Sequence, residues 1–439
     1  MFRYESVNIY LNSLPGALIA CIGLITYLTA IMAENPETTV YDFSNSAFAC
    51  RFYNILKSSD GNIFFSPYSL QVILAMVYAG AGGNTSKQLQ QHLKFPDDKK
   101  ALEEAVKGLL STFGNNKDVT LSTANGMYVQ RDFELKPAFA KTITEAYKSE
   151  VKNLDFSDSP GAAKEINGYV NTNTMGKIKK LYEDNAFSAL TKLVLVNTIY
   201  FKGAWKHKFD AAKTFKGDFH LNSKDTVQVD YMTTKERFNY GNREDLKANI
   251  IELKYNGDVS MVLIVPEEID GIKQLEEKIA LVDLKTITSE TYSREVNLTM
   301  PKFKLEQSLQ LSEPLKKLGL DEMFDPVKAN FSDVTDKTDL FVSEAIQKTY
   351  IDVNEEGAEA AAATACHVRQ RRSANFFEPE PINVDHPFLF LVTCEGVILF
   401  LGRLLSPDGS RKLSETAGLV EKRSSKWNPF GNSNLCSGF

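Results

Sequence analysis

The apolar residues of this chain change period often enough to mark out most of its elements. From Tyr41 to about Leu56 they recur at helical spacing, and Asn62–Leu70 then passes from a short strand into a helix with Pro67 in its first turn. Gly80-Ala-Gly-Gly83 ends that helix, and Thr85 or Ser86 is placed to cap the next. Asp97–Phe113 reads as a helix, Val119–Val129 as a strand and Pro137–Tyr147 as a helix, and a further helix falls within Ala162–Leu181. Leu193–Trp205 is apolar at successive positions, so both of its faces are covered and it belongs to the centre of a sheet. Asp258–Pro266, Val296–Leu305, Leu340–Val353 and Val397–Leu404 predict further strands with short helices between them, which makes the chain α+β.

Glu355–Phe388 departs from this pattern. Alanine and glutamate in Glu359–Ala365 favour a helix, yet Gly357 interrupts its front, and Arg369-Gln-Arg-Arg372 with Pro379 and Pro381 behind it reads as an exposed tether. At period two the same residues give another picture. Ala358, Ala360, Ala362 and Thr364 then share one small, uncharged face that suits a strand sliding between existing strands.

Composition narrows the class. Of 439 residues 43% are apolar, enough for a sizeable core, and a net charge of −6 with a pI near 5.6 and no long basic run excludes a general nucleic-acid binder. Residues 1–13 carry Arg3 as their only cation and lead into the 20-residue apolar run Leu14–Ala33, which ends in small residues. Residues 1–33 are therefore read as a secretory signal removed after Ala33 or Ala30, with an uncleaved signal anchor as the alternative, and the protein is expected to be secreted. Asn84, Asn297 and Asn330 head Asn-x-Ser/Thr triplets and are candidate glycosylation sites.

Cys21 goes with the signal, and Cys50, Cys366, Cys394 and Cys436 show no spacing of a disulfide framework or a metal site. Cys50 and Cys394 are expected to be buried free thiols, and Cys366 a thiol on the tether. No cofactor is implied. Gly80–Lys87 lacks the Gly-Lys-Ser/Thr of a phosphate loop, and there is no His-Glu-x-x-His or Gly-x-Ser-x-Gly, so no catalytic residue is assigned. His367 and His386 flank a polar loop that offers nothing to position them.

Asn354-Glu-Glu-Gly-Ala-Glu-Ala-Ala-Ala-Ala-Thr364 resembles the reactive-loop hinge of inhibitory serpins, and Asp385-His-Pro-Phe-Leu-Phe390 resembles the strand that receives the loop's far end. The resemblance runs from about Tyr41 to Pro407. It implies three β-sheets with eight or nine helices in a domain spanning 34–406, a reactive-centre loop at 354–383, and no enzymatic activity. In that family a serine protease attacks the loop, and at the acyl-enzyme stage the hinge, here Glu356, Gly357, Ala358, Ala360, Ala362 and Thr364, inserts into a sheet and drags the enzyme away; such insertion is a known case of strand addition. The resemblance also implies that the helix within Ala162–Leu181 crosses the sheet that opens. Two positions depart from the usual pattern. Gln347 stands where many members carry a sheet-latching histidine, and Ala358 replaces Thr or Ser.

Set where the family exposes its scissile bond, Arg369, Arg371 and Arg372 become protease-recognition residues. Furin-like proprotein convertases favour Arg before the cut, a base before that and Arg three positions back, as in loops of insect serpins that inhibit convertases. We expect the reactive bond at Arg372-Ser373, one residue later than the commonest loop length gives; Arg371-Arg372 would suit an extracellular trypsin-like protease. The other reading is a non-inhibitory carrier or precursor processed at Arg-x-Arg-Arg. Lys99, Lys100 and Lys107 alternate with Glu103 and Glu104, so no glycosaminoglycan partner is expected. The chain is expected to be a monomer, and residues 407–439, outside the family core, are expected to be disordered.

Overall fold

The structure, a computed structural model, describes residues 36–114, 119–358 and 379–409. Helix α1 (Pro36–Leu56), strand β1 (Ile63–Phe65) and helix α2 (Pro67–Gly80) open the fold. Ser66 caps α2 by accepting from Ser69 N, and Pro67 occupies its first turn. Every residue of α2 except Ala79 is buried, which suits a helix that is apolar all round. Helix α3 (Gly83–Leu93) is capped by Gly82 without a side-chain bond. The expected cap Thr85 lies inside the helix, its hydroxyl donating to Glu322 Oε1 (3.0 Å).

Helix α4 (Lys99–Gly114), strand β2 (Val119–Gln130), helix α5 (Pro137–Glu145), strand β3 (Glu150–Leu154) and helix α6 (Ser159–Asn173) follow. Asp158 Oδ1 caps α6 by accepting from Gly161 N, and consecutive left-handed residues at Met175 (φ 51°) and Gly176 (φ 75°) stop the chain from continuing helical to Leu181. Strand β4 (Leu193–Ala204) has the predicted continuous burial.

The polar sequence between 215 and 254 hid three strands, β5 (Phe215–His220), β6 (Thr226–Arg243) and β7 (Ala248–Lys254). After β8 (Val259–Pro266) and helix α7 (Ile272–Ile279), the single strand expected over Val296–Leu305 is two: β9 (Tyr292–Pro301) and β10 (Phe303–Gln310), in different sheets. Pro301 lacks an amide hydrogen, and Lys302 N donates to Asp230 O (2.8 Å), so the chain breaks pairing there and crosses over. Helix α8 (Ser312–Lys317), strands β11 (Val342–Asn354), β12 (Gly357–Ala358) and β13 (Glu380–Asn383), and then β14 (Phe388–Cys394) and β15 (Val397–Leu404) complete the fold.

The result is an α+β fold with eight α-helices among the described residues. A six-stranded sheet runs β10-β11-β12-β4-β2-β3, and a nine-stranded one β1-β15-β14-β8-β7-β6-β9-β13 with β5 on β6. Two of the three expected sheets are thus continuous, because β6 pairs with β9 along 231–240 and with β7 along 239–243. The main core lies between the sheets around α2, and a second apolar cluster, including Ile166, Val170, Tyr200 and Tyr350, fills the space between α6 and the six-stranded sheet. The helix expected to cross the sheet therefore does cover it.

One buried charge pair ties α1, α7 and β15 together. Arg403 Nη1 donates to Glu276 Oε1 (2.7 Å), Tyr53 Oη donates to the same oxygen (2.5 Å), and the guanidinium also reaches the carbonyls of Lys57, Ser59 and Gly61. Glu276→Ala leaves this guanidinium buried without its counter-charge, and should lower the unfolding free energy by about 3–5 kcal/mol. A urea titration giving less than about 1 kcal/mol, the level of a surface pair, would show that the pair is not structural.

Candidate functional site

Strands β4 and β11 run parallel and pair from Val342↔Leu193 to Tyr350↔Tyr200. Past that point they part. The chain leaves β11, turns at Glu355-Glu356 and re-enters between the two strands as β12, where Ala358 pairs with Val353 and Gly203, and Gly357 with Asn354 and Ala204. Gly357 takes φ +137°, and a Cβ on it would lie 2.1 Å from Gly203 O and 2.7 Å from Ala204 Cα. Both are backbone atoms with little freedom to move, so only glycine fits. Ala358 is 0% exposed and packs in the main core.

The turn is clamped by groups distant in sequence. Trp205 N donates to Glu356 O, Phe209 N to Glu355 O and Trp205 Nε1 to Asn354 O, each at 2.9 Å. The Trp205 indole is itself stacked on Tyr255, centroids 4.1 Å apart. Glu355 accepts from Thr214 Oγ1 (2.6 Å) and pairs with Lys302 (2.9 Å), and Glu356 pairs with Lys208 (2.6 Å). Nothing near Asn354–Gly357 in sequence announces Trp205, Thr214, Lys302 or Tyr255, and only the end of the apolar run at Trp205 hinted at any of them.

Below the parting, Gln347 sits 1% exposed at a crossroads. Its Oε1 accepts from Ser66 N (3.0 Å), and its Nε2 donates to Ser66 O (3.0 Å) and Asn197 Oδ1 (2.5 Å). Asn197 accepts in turn from Ser69 Oγ (2.7 Å) and donates to Ser69 O (3.0 Å) and Asn125 Oδ1 (2.6 Å). Glutamine thus joins β11, β4, β2 and the cap of α2 with no titratable group, using its donor and its acceptor at once.

The far end of the loop is anchored in the other sheet. Strand β13 pairs parallel with β9 from Glu380↔Val296 to Asn383↔Thr299, Val384 N donates to Thr299 O (2.9 Å), and His220 N donates to Asp385 O (2.8 Å). His386 is positioned after all. It is buried, with Nδ1 2.8 Å from Asp385 Oδ1 and Nε2 2.8 Å from Pro266 O. The bond from His386 holds the Asp385 carboxyl below its ordinary value. The imidazole is structural, since both nitrogens are occupied.

Ala360, Ala362, Thr364, Cys366, His367, Arg369, Arg371, Arg372 and Ser373 lie outside the described residues, as do residues 1–35 and 410–439, and with them the segment read as a signal and Cys436. Cys50 and Cys394 are free thiols, the second buried as expected and the first only half-buried; desolvation, aided by Asp283, pushes the first up to about 11, and burial with Glu395 and Asp258 the second to about 12, so neither is a nucleophile at neutral pH. Of the lysines on α4, Lys99 reaches Ala81 O (2.6 Å) and Asp333 (2.7 Å), and Lys107 lies 3.7 Å from Glu104. No group of residues that could hold a metal ion occurs among the described residues.

A sheet parted at one end, with the start of an alanine-rich segment already paired inside it, defines a strand-accepting protein. Residues 43–407 match the sequence profile described as Serpin (serine protease inhibitor). The chain is 38% identical over 384 residues to the horse leukocyte elastase inhibitor, covering 83% of this chain and 98% of that one. Serpin48 of the insect Tenebrio molitor, described as highly specific, superposes with a TM-score of 0.78 at 36% identity over 84% of this chain and 99% of its own. Human thyroxine-binding globulin, solved with its ligand, reaches 0.76 at 26% identity, over 84% and 99%. The chain belongs to the serpin family, and it is a protease inhibitor rather than an enzyme.

The latch gives a prediction. Gln347→Leu leaves Ser66 N without its partner in a buried site, while Ser66 O keeps its bond from Leu70 N (3.1 Å), and should lower stability by about 1–3 kcal/mol. The uncut protein should also lose protease-trapping capacity faster on warm incubation, because β4 and β11 separate more readily. An unchanged melting temperature together with an unchanged inactivation rate would remove Gln347 from the latch.

Proposed function

We propose that this serpin traps a serine protease by letting its loop be cut and then drawing the hinge into the six-stranded sheet, and that the target is a furin-like proprotein convertase meeting Arg369, Arg371 and Arg372. The observation that carries this reading is the Gly357–Ala358 wedge between β4 and β11. Ala358 faces the main core, so a strand continuing at period two would turn Ala360, Ala362 and Thr364 to the same side, where small uncharged groups can be buried. A carrier has no need of such a face. The apolar run Leu14–Ala33 supports synthesis into the secretory pathway, where convertases and extracellular trypsin-like proteases are met.

Ala362→Glu should convert the inhibitor into a substrate. Burying the carboxylate beneath the sheet costs several kcal/mol, and the slowed insertion gives the acyl-enzyme time to hydrolyse. Electrophoresis of the mixture with target protease reads the result: as much SDS-resistant complex as wild type would mean that trapping does not use this face.

Arg369→Ala should weaken inhibition of furin by about tenfold or more, the worth of a charge-assisted hydrogen bond, while inhibition of trypsin stays nearly constant. Arg372→Ala should abolish convertase trapping and leave Arg371 to trypsin. Sequencing the peptide released from the furin complex should give Ser373 first. A start at Arg372, or furin that cuts repeatedly without forming a complex, assigns the loop to a trypsin-like protease through Arg371.

A further inference from the structure

The three Asn-x-Ser/Thr triplets are not equivalent in the folded chain. Asn84 and Asn330 meet at one joint. Asn84 Nδ2 donates to Glu322 Oε2, whose second oxygen accepts from Thr85 Oγ1 (3.0 Å), and Thr85 Oγ1 accepts from Asn330 N (3.0 Å). Glu322 is 7% exposed. Asn330 Oδ1 accepts from Ser332 N (3.0 Å), and its Nδ2 is packed against Gly83, 3.0 Å from where a Cβ would stand. A sugar on either nitrogen would force a pyranose ring against buried carboxylate or backbone and open the joint that holds α3 to the 322–332 segment.

Asn84 is exposed and Asn330 half-buried, but both side chains are tied to neighbouring groups; Asn297 differs in its bonding. It lies in the middle of β9, exposed, and its side chain makes no hydrogen bond to the described residues. Its neighbours across the strands are Lys235 on β6 and Pro381 on β13, both also exposed. Thr299, the hydroxyl residue of the triplet, stays on the sheet with Oγ1 donating to Thr233 Oγ1 (3.2 Å). A glycan here needs no rearrangement.

Its position matters because β13 is where the reactive loop ends. From Arg372 to Pro381 is nine residues, at most about 30 Å of extended chain. We propose that Asn297 is the N-glycosylated residue of the folded protein, that Asn84 and Asn330 carry no sugar, and that the oligosaccharide shields the sheet face beside the loop's distal anchor, slowing the approach of a protease from that side. This holds only if the chain enters the secretory pathway, as proposed for Leu14–Ala33.

The test uses the full chain expressed in insect cells, with glycopeptide mapping of the secreted product. Sugar on Asn297 alone supports the assignment. Secreted protein bearing sugar on Asn84 or Asn330, or none at all, overturns it and leaves the secretory route standing; protein found only in the cytosol overturns the route itself and the assignment with it. Shielding is read from the rate of complex formation with trypsin. Asn297→Gln should form complex faster than glycosylated wild type by severalfold, and an equal rate overturns the shielding. Enzymatic removal of the glycan from native wild type leaves an aspartate in place of Asn297, so that product and the Asn297→Asp variant should match each other and exceed the glycosylated form, which keeps the outcome independent of how any one variant folds.

Discussion

Beyond Tyr350 and Tyr200 the two central strands of the six-stranded sheet no longer bond to each other, and what fills that parting governs the rest of the molecule. Unpaired amides and carbonyls inside a protein are costly, so a sheet cannot simply gape. Here Gly357 and Ala358 satisfy both lips, and a glycine is required because the backbones of Gly203 and Ala204 press on the position where a side chain would begin. Below the wedge, parallel ladder bonds, slanted and somewhat weaker than antiparallel ones, remain to be exchanged one by one for bonds to an incoming strand. Each exchange conserves hydrogen bonds, which makes a long insertion feasible. The exception is Gln347, whose side-chain bond to Asn197 spans the two strands and would be lost without replacement by backbone pairing if they parted there.

Much of the frame was legible because it rests on local pattern. The unbroken apolar run of β4, the Ser66-Pro67 start of α2, and the glycine and alanines of the hinge each carry their signal within a few residues. What escaped depends on partners far along the chain. Strands β5 to β7 expose one face and alternate weakly, so the pattern fades between Phe215 and Lys254. The split of β9 from β10 is set by Lys302 N meeting Asp230 O, a contact across the fold that no local spacing encodes. The clamp of Trp205, Thr214 and Lys302 on the Glu355-Glu356 turn joins residues about fifty to one hundred and fifty positions apart. Gln347 was visible as a departure from a pattern, whereas its grip on Asn197 needed the three-dimensional arrangement.

Charge is divided between the parts of this region according to whether they must be buried. Glu355, which is buried, and Glu356, which is half-buried, stay at the turn, each matched by a lysine, just before the chain enters the sheet. The positions that would share the inward face with Ala358 are Ala or Thr, and the arginines begin only at Arg369, outside the length that would have to be buried first. Under the proposed function, recognition and insertion would fall on separate stretches of the sequence.

The two ends of the loop are held in different sheets. Gly357–Ala358 is bonded within the six-stranded sheet, and Glu380–Asn383 within the nine-stranded one, locked further by Val384 N on Thr299 and by His386 between Asp385 and Pro266. An intact chain that drew its hinge inward would pull against β13 and would have to peel it from β9, losing four residues of parallel pairing and the contacts behind them. A single cut between the anchors removes that opposing pull while leaving the bonds that insertion would gain unchanged. The distal anchor would thus restrain the intact chain alongside the latch. In such an arrangement the strength of the β13 anchor would set how firmly the uncut chain resists drawing its hinge inward.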